Sequence, residues 1–538
     1  MKKNKQIHWL VEHTPYLKFP ILFLSLLSLI MSLTAIFFAF FSRETIDAAV
    51  SGNQSVFIQS AIIISSILLL QLIASALNQY ARVYYLGYTN KKLKNKIFTN
   101  LLKAKYKDTS ALHSGEMMNL INSDVETVSD GLVDVVPKMV FYIVRFLGAF
   151  ILLFLLDQLF ALLFVGFGIL LFIGSRLISH EMKKRHHLLQ NAESKVRSMM
   201  QESLENISVI KSFEAENQIS SQLDALQTKH FKAMRYKNVL SIMTSSGMSI
   251  FFAFGYAFAI IFGAFRLMEG MISFGSLTAM IQLVGHIQSP FSGLSFIVPK
   301  YYAMMASTER LMAVDHFNSD PVYEQVSIPS FNDLVFDHVS FGYGDKIVIN
   351  NISFTVKKGE FIKIEGESGK GKTTLFKLLL GLADPDDGRI SIEADETRIQ
   401  VGASTRSFFS YVPQGNLMLS GTIRENLNLY QTSSEDEMIK ACEIACIYDE
   451  IKMLPQGLDT PLGEKGFGLS EGQIQRLAIA RALLKHAPIL LLDEISSALD
   501  AEIEKRVFMS IKSMTDKTCL IISHRTLPNG IIDLNIVL

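Results

Sequence analysis

The sequence predicts a multi-domain chain, an all-α transmembrane domain of six helices over residues 20–310 followed by an α/β domain over residues 331–538. Three observations carry that expectation. Of the 538 residues 49% are hydrophobic and 19% charged, too apolar for a disordered or ordinary water-soluble chain. The apolar residues gather into six stretches, 20–41, 57–77, 136–156, 158–176, 243–265 and 274–298, and a bilayer core of about 30 Å asks ~20 such residues of each helix. From Phe331 onward short strands alternate with polar turns, and one strand runs straight into a glycine-rich loop. Lys+Arg and Asp+Glu are 51 each, so the net charge is zero and no basic excess favours a nucleic-acid partner.

Ahead of the first span, within residues 1–19, Ile7, Trp9, Leu10, Val11, Tyr16 and Leu17 predict a short interfacial helix anchored by Trp9; a disordered tail is the alternative. Pro20 to Phe41 carries no charge and exceeds the 7–15 apolar residues of a cleaved signal, so it reads as a span. Residues 81–133 hold eight Lys/Arg and residues 181–240 hold ten, whereas the connections 42–56 and 266–273 hold one each, Arg43 and Arg266. Basic short loops stay inside, which predicts that both termini, both long loops and the α/β domain are cytoplasmic; a bacterial plasma membrane is the expected location. Both long loops are rich in helix formers and nearly free of Gly and Pro, so the membrane helices are expected to continue well beyond the bilayer.

Polar residues inside spans are costly. Arg145 sits midway along the third span, where an Arg costs about 2.5–3.5 kcal/mol on insertion scales. Thr278, Gln282 and His286 recur every fourth residue of the sixth span and so share one helical face, and Gln71 adds a polar group to the second. These five residues are candidates for lining a polar substrate path; hydrogen bonding between helices is the structural alternative.

After a linker at 311–330, strands are expected at Leu334–Phe336, Ile352–Val356 and Phe361–Glu365. The third leads into Gly366-Glu367-Ser368-Gly369-Lys370-Gly371-Lys372-Thr373 and a helix from Thr374, which is the GxxxxGK[ST] phosphate loop in its required strand–loop–helix setting. Glycines let backbone N–H groups curl around phosphates, and the helix N-terminus adds positive potential. Lys372 would reach the β/γ-phosphates of ATP and Thr373 would hold Mg²⁺. In Ile489-Leu490-Leu491-Leu492-Asp493-Glu494, an apolar strand ends in two carboxylates; Asp493 suits Mg²⁺ through water, and Glu494 suits a general base.

Leu469-Ser470-Glu471-Gly472-Gln473, at the head of a helix, resembles the LSGGQ signature of ATP-binding cassette transporters, with Glu471 in place of the first glycine. The resemblance implies an α/β P-loop NTPase cassette in which Ser470, Gly472 and Gln473 close over ATP held by the phosphate loop of a second chain. Other matches follow in that family's order. Tyr343 in Phe341-Gly342-Tyr343-Gly344 resembles the adenine-stacking aromatic, and Gln414 in Val412-Pro413-Gln414-Gly415 the glutamine that meets Mg²⁺ and the attacking water. Ser497-Ala498-Leu499-Asp500 resembles the loop crossing between cassettes, and His524 the switch histidine at the γ-phosphate. His113-Ser114-Gly115-Glu116 and residues 201–213 resemble the inner extensions of exporter-type members, and Gly463-Glu464-Lys465-Gly466 the element that touches them. The final strand, 533–538, is one that relatives usually follow with a hairpin and helices, so a shortened tail is expected. Cys442, Cys446 and Cys519 are expected to be reduced thiols of a cytosolic domain.

The resemblance implies an exporter half-transporter, a dimer (homodimer, with a heterodimer as alternative) that hydrolyses ATP to move a peptide, drug-like or amphipathic substrate. A lipid flippase and a non-transporting ATP-gated channel or sensor are the rival readings. No peptidase domain precedes the first span, so leader cleavage in the same chain is not expected.

Overall fold

The computed structural model describes the chain apart from residues 1, 111, 113, 316, 321–330, 345, 368, 395–396, 416–417, 430–431, 464–465, 467, 496–499, 515–516, 526 and 528–529. His113, the linker positions 321–330, Ser368, Glu464, Lys465 and Ser497, Ala498 and Leu499, all singled out above, lie outside the described residues. The chain divides into two compact units, residues 1–98 with 115–314, and residues 99–114 with 315–538.

The first unit is helical among its described residues, built from α1 (Lys2–His13), α2 (Lys18–Val50), α3 (Gln54–Lys103, whose end reaches the second unit), α5 (Ser114–Asn119), α6 (Val125–Leu156), α7 (Gln158–Glu205), α8 (Ile207–Ser212), α9 (Glu216–Met268) and α10 (Phe274–Asp315); the short α4 (Tyr106–Ser110) belongs to the second unit. Each of the six apolar stretches falls inside one of α2, α3, α6, α7, α9 and α10. Among the described residues four helical segments are both long and apolar enough to cross a membrane, Pro15–Val50, Gln54–Lys103, Gly115–Leu156 and Glu216–Met268. At 50 residues and 1.5 Å per residue, α3 is about 75 Å long, more than twice a bilayer core, so the helix continues far past its apolar part. Ahead of the first apolar stretch the chain is helical over Lys2–His13, with Trp9, Leu10 and Leu17 buried and Lys92 of α3 lying 5.7 Å from the Tyr16 ring centroid.

Small residues allow the helices to approach closely. A Cβ on Gly148 of α6 would collide with Ile36 of α2, and Ala39, Ala149, Ala161 and Ala259 are fully buried. Phe160 of α7 stacks on Phe258 of α9 at 5.6 Å. Where the charged loops begin, a knot of ions joins α3, α6 and α10. Asp134 accepts from Arg82, from Lys138 at 2.9 Å and from Lys300 at 2.6 Å, and Lys300 also reaches Asp130 at 2.5 Å. About three turns further along the same helices, a π-helical turn (Leu120–Asp124) aims Asp124 at Arg310 (2.8 Å) and Ser307 (2.8 Å) of α10.

The second unit is α/β. An antiparallel sheet of order β2-β1-β4-β5 comprises β1 (Asp333–Tyr343), β2 (Lys346–Lys357), β4 (Asp387–Ala394) and β5 (Thr397–Gln400). A parallel sheet of order β11-β3-β10-β9-β6 comprises β3 (Phe361–Glu365), β6 (Phe409–Val412), β9 (Ile489–Asp493), β10 (Thr518–Ile522) and β11 (Leu534–Val537). The strands expected at 334–336, 352–356 and 361–365 all form, the first two inside longer ones. β7 (Gly421–Thr422) pairs with β8 (Pro461–Leu462). The helices are α11 (Lys372–Leu379), α12 (Ile423–Leu427), α13 (Glu435–Ile444), α14 (Tyr448–Met453), α15 (Glu471–Leu484) and α16 (Ala501–Lys512). The central strands β9 and β10 are buried at every position, as an apolar parallel sheet covered on both faces requires. Residues 99–114 join this unit: Lys105 N donates to Asn318 O (2.8 Å), Asp320 N to Lys103 O (2.8 Å), and Lys377 lies over the Tyr106 ring. Cys442 and Cys519 are buried free thiols, and burial pushes the Cys442 thiol up to about 12.

Asp134 is 3% exposed and gathers three cations that are each partly in water. Asp134→Ala is expected to destabilise the membrane unit by about 2 kcal/mol, less than a fully buried ion pair because its partners are part-solvated. Thermal unfolding in detergent measures this, and Asp134→Asn should recover part of the loss.

Candidate functional site

The site follows from strand register. In the parallel sheet Ile522 pairs with both Ile364 and Asp493, and Leu492 pairs with Val412. The carboxyl ends of β3, β10, β9 and β6 therefore lie in one row, the position where open α/β sheets bind ligands. Whatever follows each strand is brought to that row: the phosphate loop after β3, Ser523 and His524 after β10, Glu494 after β9, and Gln414 after β6.

The loop needs its glycines. Gly366, Gly369 and Gly371 have φ of +156°, +83° and +91°. At Gly371 a Cβ would also lie 2.7 Å from Val348 Cγ1. Lys372 is 6% exposed, and its ammonium donates to the carbonyls of Gly366 (2.7 Å) and Glu367 (3.1 Å), which arch it across the loop. Lys370 N donates to Glu367 O at 3.3 Å. Leu375, Phe376, Leu378 and Leu379 bury one side of α11, and no acid stands in its first turn to cancel the positive N-terminus. Thr374 is buried at the same end.

Asp493 is fully buried. Its two oxygens face hydroxyls, Thr373 Oγ1 at 3.4 Å and the Tyr411 phenol at 3.2 Å. Burial raises the Asp493 carboxyl above its ordinary value, and neighbouring Glu494 acts in the same direction. An all-oxygen pair, one hydroxyl and one carboxylate, suits Mg²⁺, which keeps few protein ligands and takes the rest from phosphate and water. Tyr411 was not singled out from the sequence. The available signal was its place two residues before Pro413, facing the same way as Phe409 in β6.

Glu494 stands in left-handed backbone (φ 50°), held by its N–H donating to Ile522 O at 2.9 Å. This carries its carboxylate off the strand line to meet Gln414 Nε2 and His524 Nε2, the latter at 3.2 Å. The structure thus brings together Gly366, Glu367, Gly369, Lys370, Gly371, Lys372, Thr373, Thr374, Asp493, Glu494, Gln414 and His524. Tyr343 ends β1, is 51% exposed as a residue and sets its ring edge-on to Phe341. Ser470 caps α15 in a capping box with Gln473, and Asp500 precedes α16. Among the described residues Ser470, Gly472, Gln473 and Asp500 make no hydrogen bond to the phosphate loop of their own chain.

In the membrane unit the structure pairs two of the five polar candidates. Arg145 donates to His286 Nδ1 through Nη2 (2.9 Å) and Nε (3.2 Å), and its guanidinium lies over Phe141. An Nδ1 that accepts is unprotonated, so Arg145 has a neutral partner. Thr278 instead bonds its own helix at Gly275 O (2.7 Å), and Gln282 Oε1 is buried with no partner. Gln71 is half-buried on α3 and makes no hydrogen bond to the other four among the described residues.

Residues 21–291 match the family model of the ABC transporter transmembrane region, and residues 349–497 match that of the ABC transporter. The chain belongs to the ABC transporter family. It is 29% identical over 462 residues to an ATP-dependent lipid A-core flippase of Nitrosococcus oceani, covering 84% of this chain and 77% of that one. A flippase of the same description from Alcanivorax borkumensis is 28% identical over 440 residues, 80% of this chain and 75% of that one. The fold resembles a bacterial Atm1-family ABC exporter solved with ATP bound, at a TM-score of 0.79 and 22% identity, over 95% of this chain and 92% of the other. This protein is therefore a multi-pass membrane ABC half-transporter of exporter type, an ATP-binding ATPase whose hydrolysis is coupled to transport.

Gly371→Ala meets both a positive φ and the Val348 methyl. It is expected to cost about 1–3 kcal/mol in the cassette and to abolish nucleotide binding. Thermal shift with and without ATP measures both effects.

Proposed function

We propose that two copies of this chain form the working transporter, with termini and cassettes cytoplasmic in a bacterial plasma membrane. The reading rests on the arrangement of half-sites: among the described residues the phosphate loop and the Ser470 turn of one cassette make no hydrogen bond to each other, as expected if each completes the site of the other chain. ATP would sit with its adenine on Tyr343 and its phosphates in the loop, Lys372 turning from its carbonyls to the phosphate oxygens. Thr373 and Asp493, with Gln414 nearby, would hold Mg²⁺, which supplies charge neutralisation at the β- and γ-phosphates. Ser470, Gly472 and Gln473 would close over the partner's γ-phosphate, and Asp500 would lie at the crossing between cassettes. Glu494 takes the proton of the attacking water, while Gln414 and His524 fix its carboxylate from two sides. Glu471 suits the helix N-terminus electrostatically and reduces the positive potential that the turn offers a phosphate. In Glu494→Gln, ATP binding should persist while turnover falls by about a hundredfold or more; phosphate release beside nucleotide binding tests it, and wild-type turnover would sink the assignment.

For the cargo, the supporting observation is Arg145, a mid-membrane cation whose partner is a neutral imidazole. A substrate bringing its own negative charge would supply the missing counter-ion. That favours an amphipathic molecule with an anionic head over a neutral drug, in keeping with the flippase names of the relatives. In proteoliposomes, anionic amphiphiles should stimulate the wild-type ATPase several-fold more than zwitterionic ones, and Arg145→Ala should remove the difference. Equal stimulation of both proteins would refute this role.

A further inference from the structure

Glu450 lies in α14, outside every motif above, yet both its carboxylate oxygens are committed to the signature turn. Gln473 Nε2 donates to Oε2 at 2.6 Å and Arg476 Nη1 donates to Oε1 at 2.6 Å. Arg476 is 7% exposed in its side chain; Nη1 also reaches Cys446 O at 2.6 Å, and Nε reaches Gly472 O at 3.3 Å. The Cys446 carbonyl is turned toward it by left-handed backbone (φ 54°) that ends α13. Burial opposes the charge on Glu450, but the Arg476 and Gln473 bonds outweigh it and hold the carboxyl below its ordinary value.

The other end of the Gln473 amide matters as much. Its Oε1 accepts from Ser470 N at 2.7 Å, while Gln473 N donates to Ser470 Oγ at 3.3 Å. An amide held at both ends cannot flip, so Glu450 dictates that oxygen faces Ser470. The amide thus pins the Ser470 backbone, and with the turn so held the Ser470 hydroxyl accepts from the Gln473 backbone N–H; among the described residues its own proton has no acceptor. A donor aimed outward at a helix N-terminus is what a phosphate oxygen requires.

We infer that Glu450 is the positioning residue of the signature turn, locking Gln473 and Arg476 so that the Ser470 hydroxyl is presented as a donor to the nucleotide of a second chain. This rests on the reading that Ser470 closes over a partner's ATP. Glu450→Gln is nearly isosteric but faces the Gln473 amide with a second amide and weakens the hold on Arg476.

The full-length protein is compared as wild type, Glu450→Gln, Glu450→Asp and Ser470→Ala. ATPase kinetics are read on these chains, and ATP-driven cassette closure is read in the Glu494→Gln background. Glu450→Gln should raise KM for ATP and the half-closing ATP concentration by about tenfold, the scale of one charge-assisted hydrogen bond. kcat at saturating ATP and the affinity for a fluorescent nucleotide without Mg²⁺, which the phosphate loop alone provides, should stay within about twofold. Unchanged KM and closure in Glu450→Gln, with Ser470→Ala impaired, would overturn the role of Glu450. Unchanged closure in Ser470→Ala would instead defeat the reading on which it rests. If Glu450→Gln lowers the thermal midpoint, Glu450→Asp decides: recovery of closure with the midpoint supports positioning, and recovery of the midpoint alone refutes it.

Discussion

Parallel pairing among β3, β10, β9 and β6 is the constraint from which the catalytic half of this protein follows. Phosphate loop, buried aspartate, adjacent glutamate, glutamine and histidine are scattered over more than 150 residues of sequence. A register that equates Ile364, Ile522 and Asp493 gives them one address. Close packing on both covered faces holds that register, because a slip by one residue would exchange the side chains fitted to each face for ones of other size. The chemistry is thus a consequence of packing. Asp493 can be fully buried only because the sheet is covered, and it is tolerated there because Thr373 and Tyr411 turn hydroxyls toward it.

The membrane half handles charge in two contrasting ways. Arg82, Lys138 and Lys300 converge on Asp130 and Asp134, so three helices are joined through compensated charge where the apolar stretches give way to basic loops. Among the described residues Arg145, deeper in the same helix α6, meets an imidazole and an aromatic face and no carboxylate. Compensated charge suits holding helices together; an uncompensated cation in a low-dielectric region suits attracting an anion. The asymmetry between neighbouring sites on one helix links the architecture to the kind of cargo proposed.

Much of this was legible in the sequence because its signals are local. Spans are contiguous apolar runs, the phosphate loop is eight consecutive residues, and Asp493–Glu494 terminate an apolar strand. Less legible was anything that depends on a second segment. Tyr411 gave no motif, since its meaning lies in facing Asp493, 82 residues away. Glu450 reads as a surface acid of a short helix until Gln473 and Arg476 are placed beside it. The face of α10 shows the same limit. Periodicity grouped Thr278, Gln282 and His286, but Thr278 satisfied itself on its own backbone and His286 found Arg145.

By itself, then, the sequence determined the two-part architecture, the family and the motifs of the candidate nucleotide site, because each is written in contiguous residues. Only the tertiary structure decided which of the expensive polar groups are paired, which remain without counter-charge, and what holds the signature turn in place. Those are properties of distance between segments, and pairing energies in a low-dielectric interior depend on ångströms that no spacing along the chain contains.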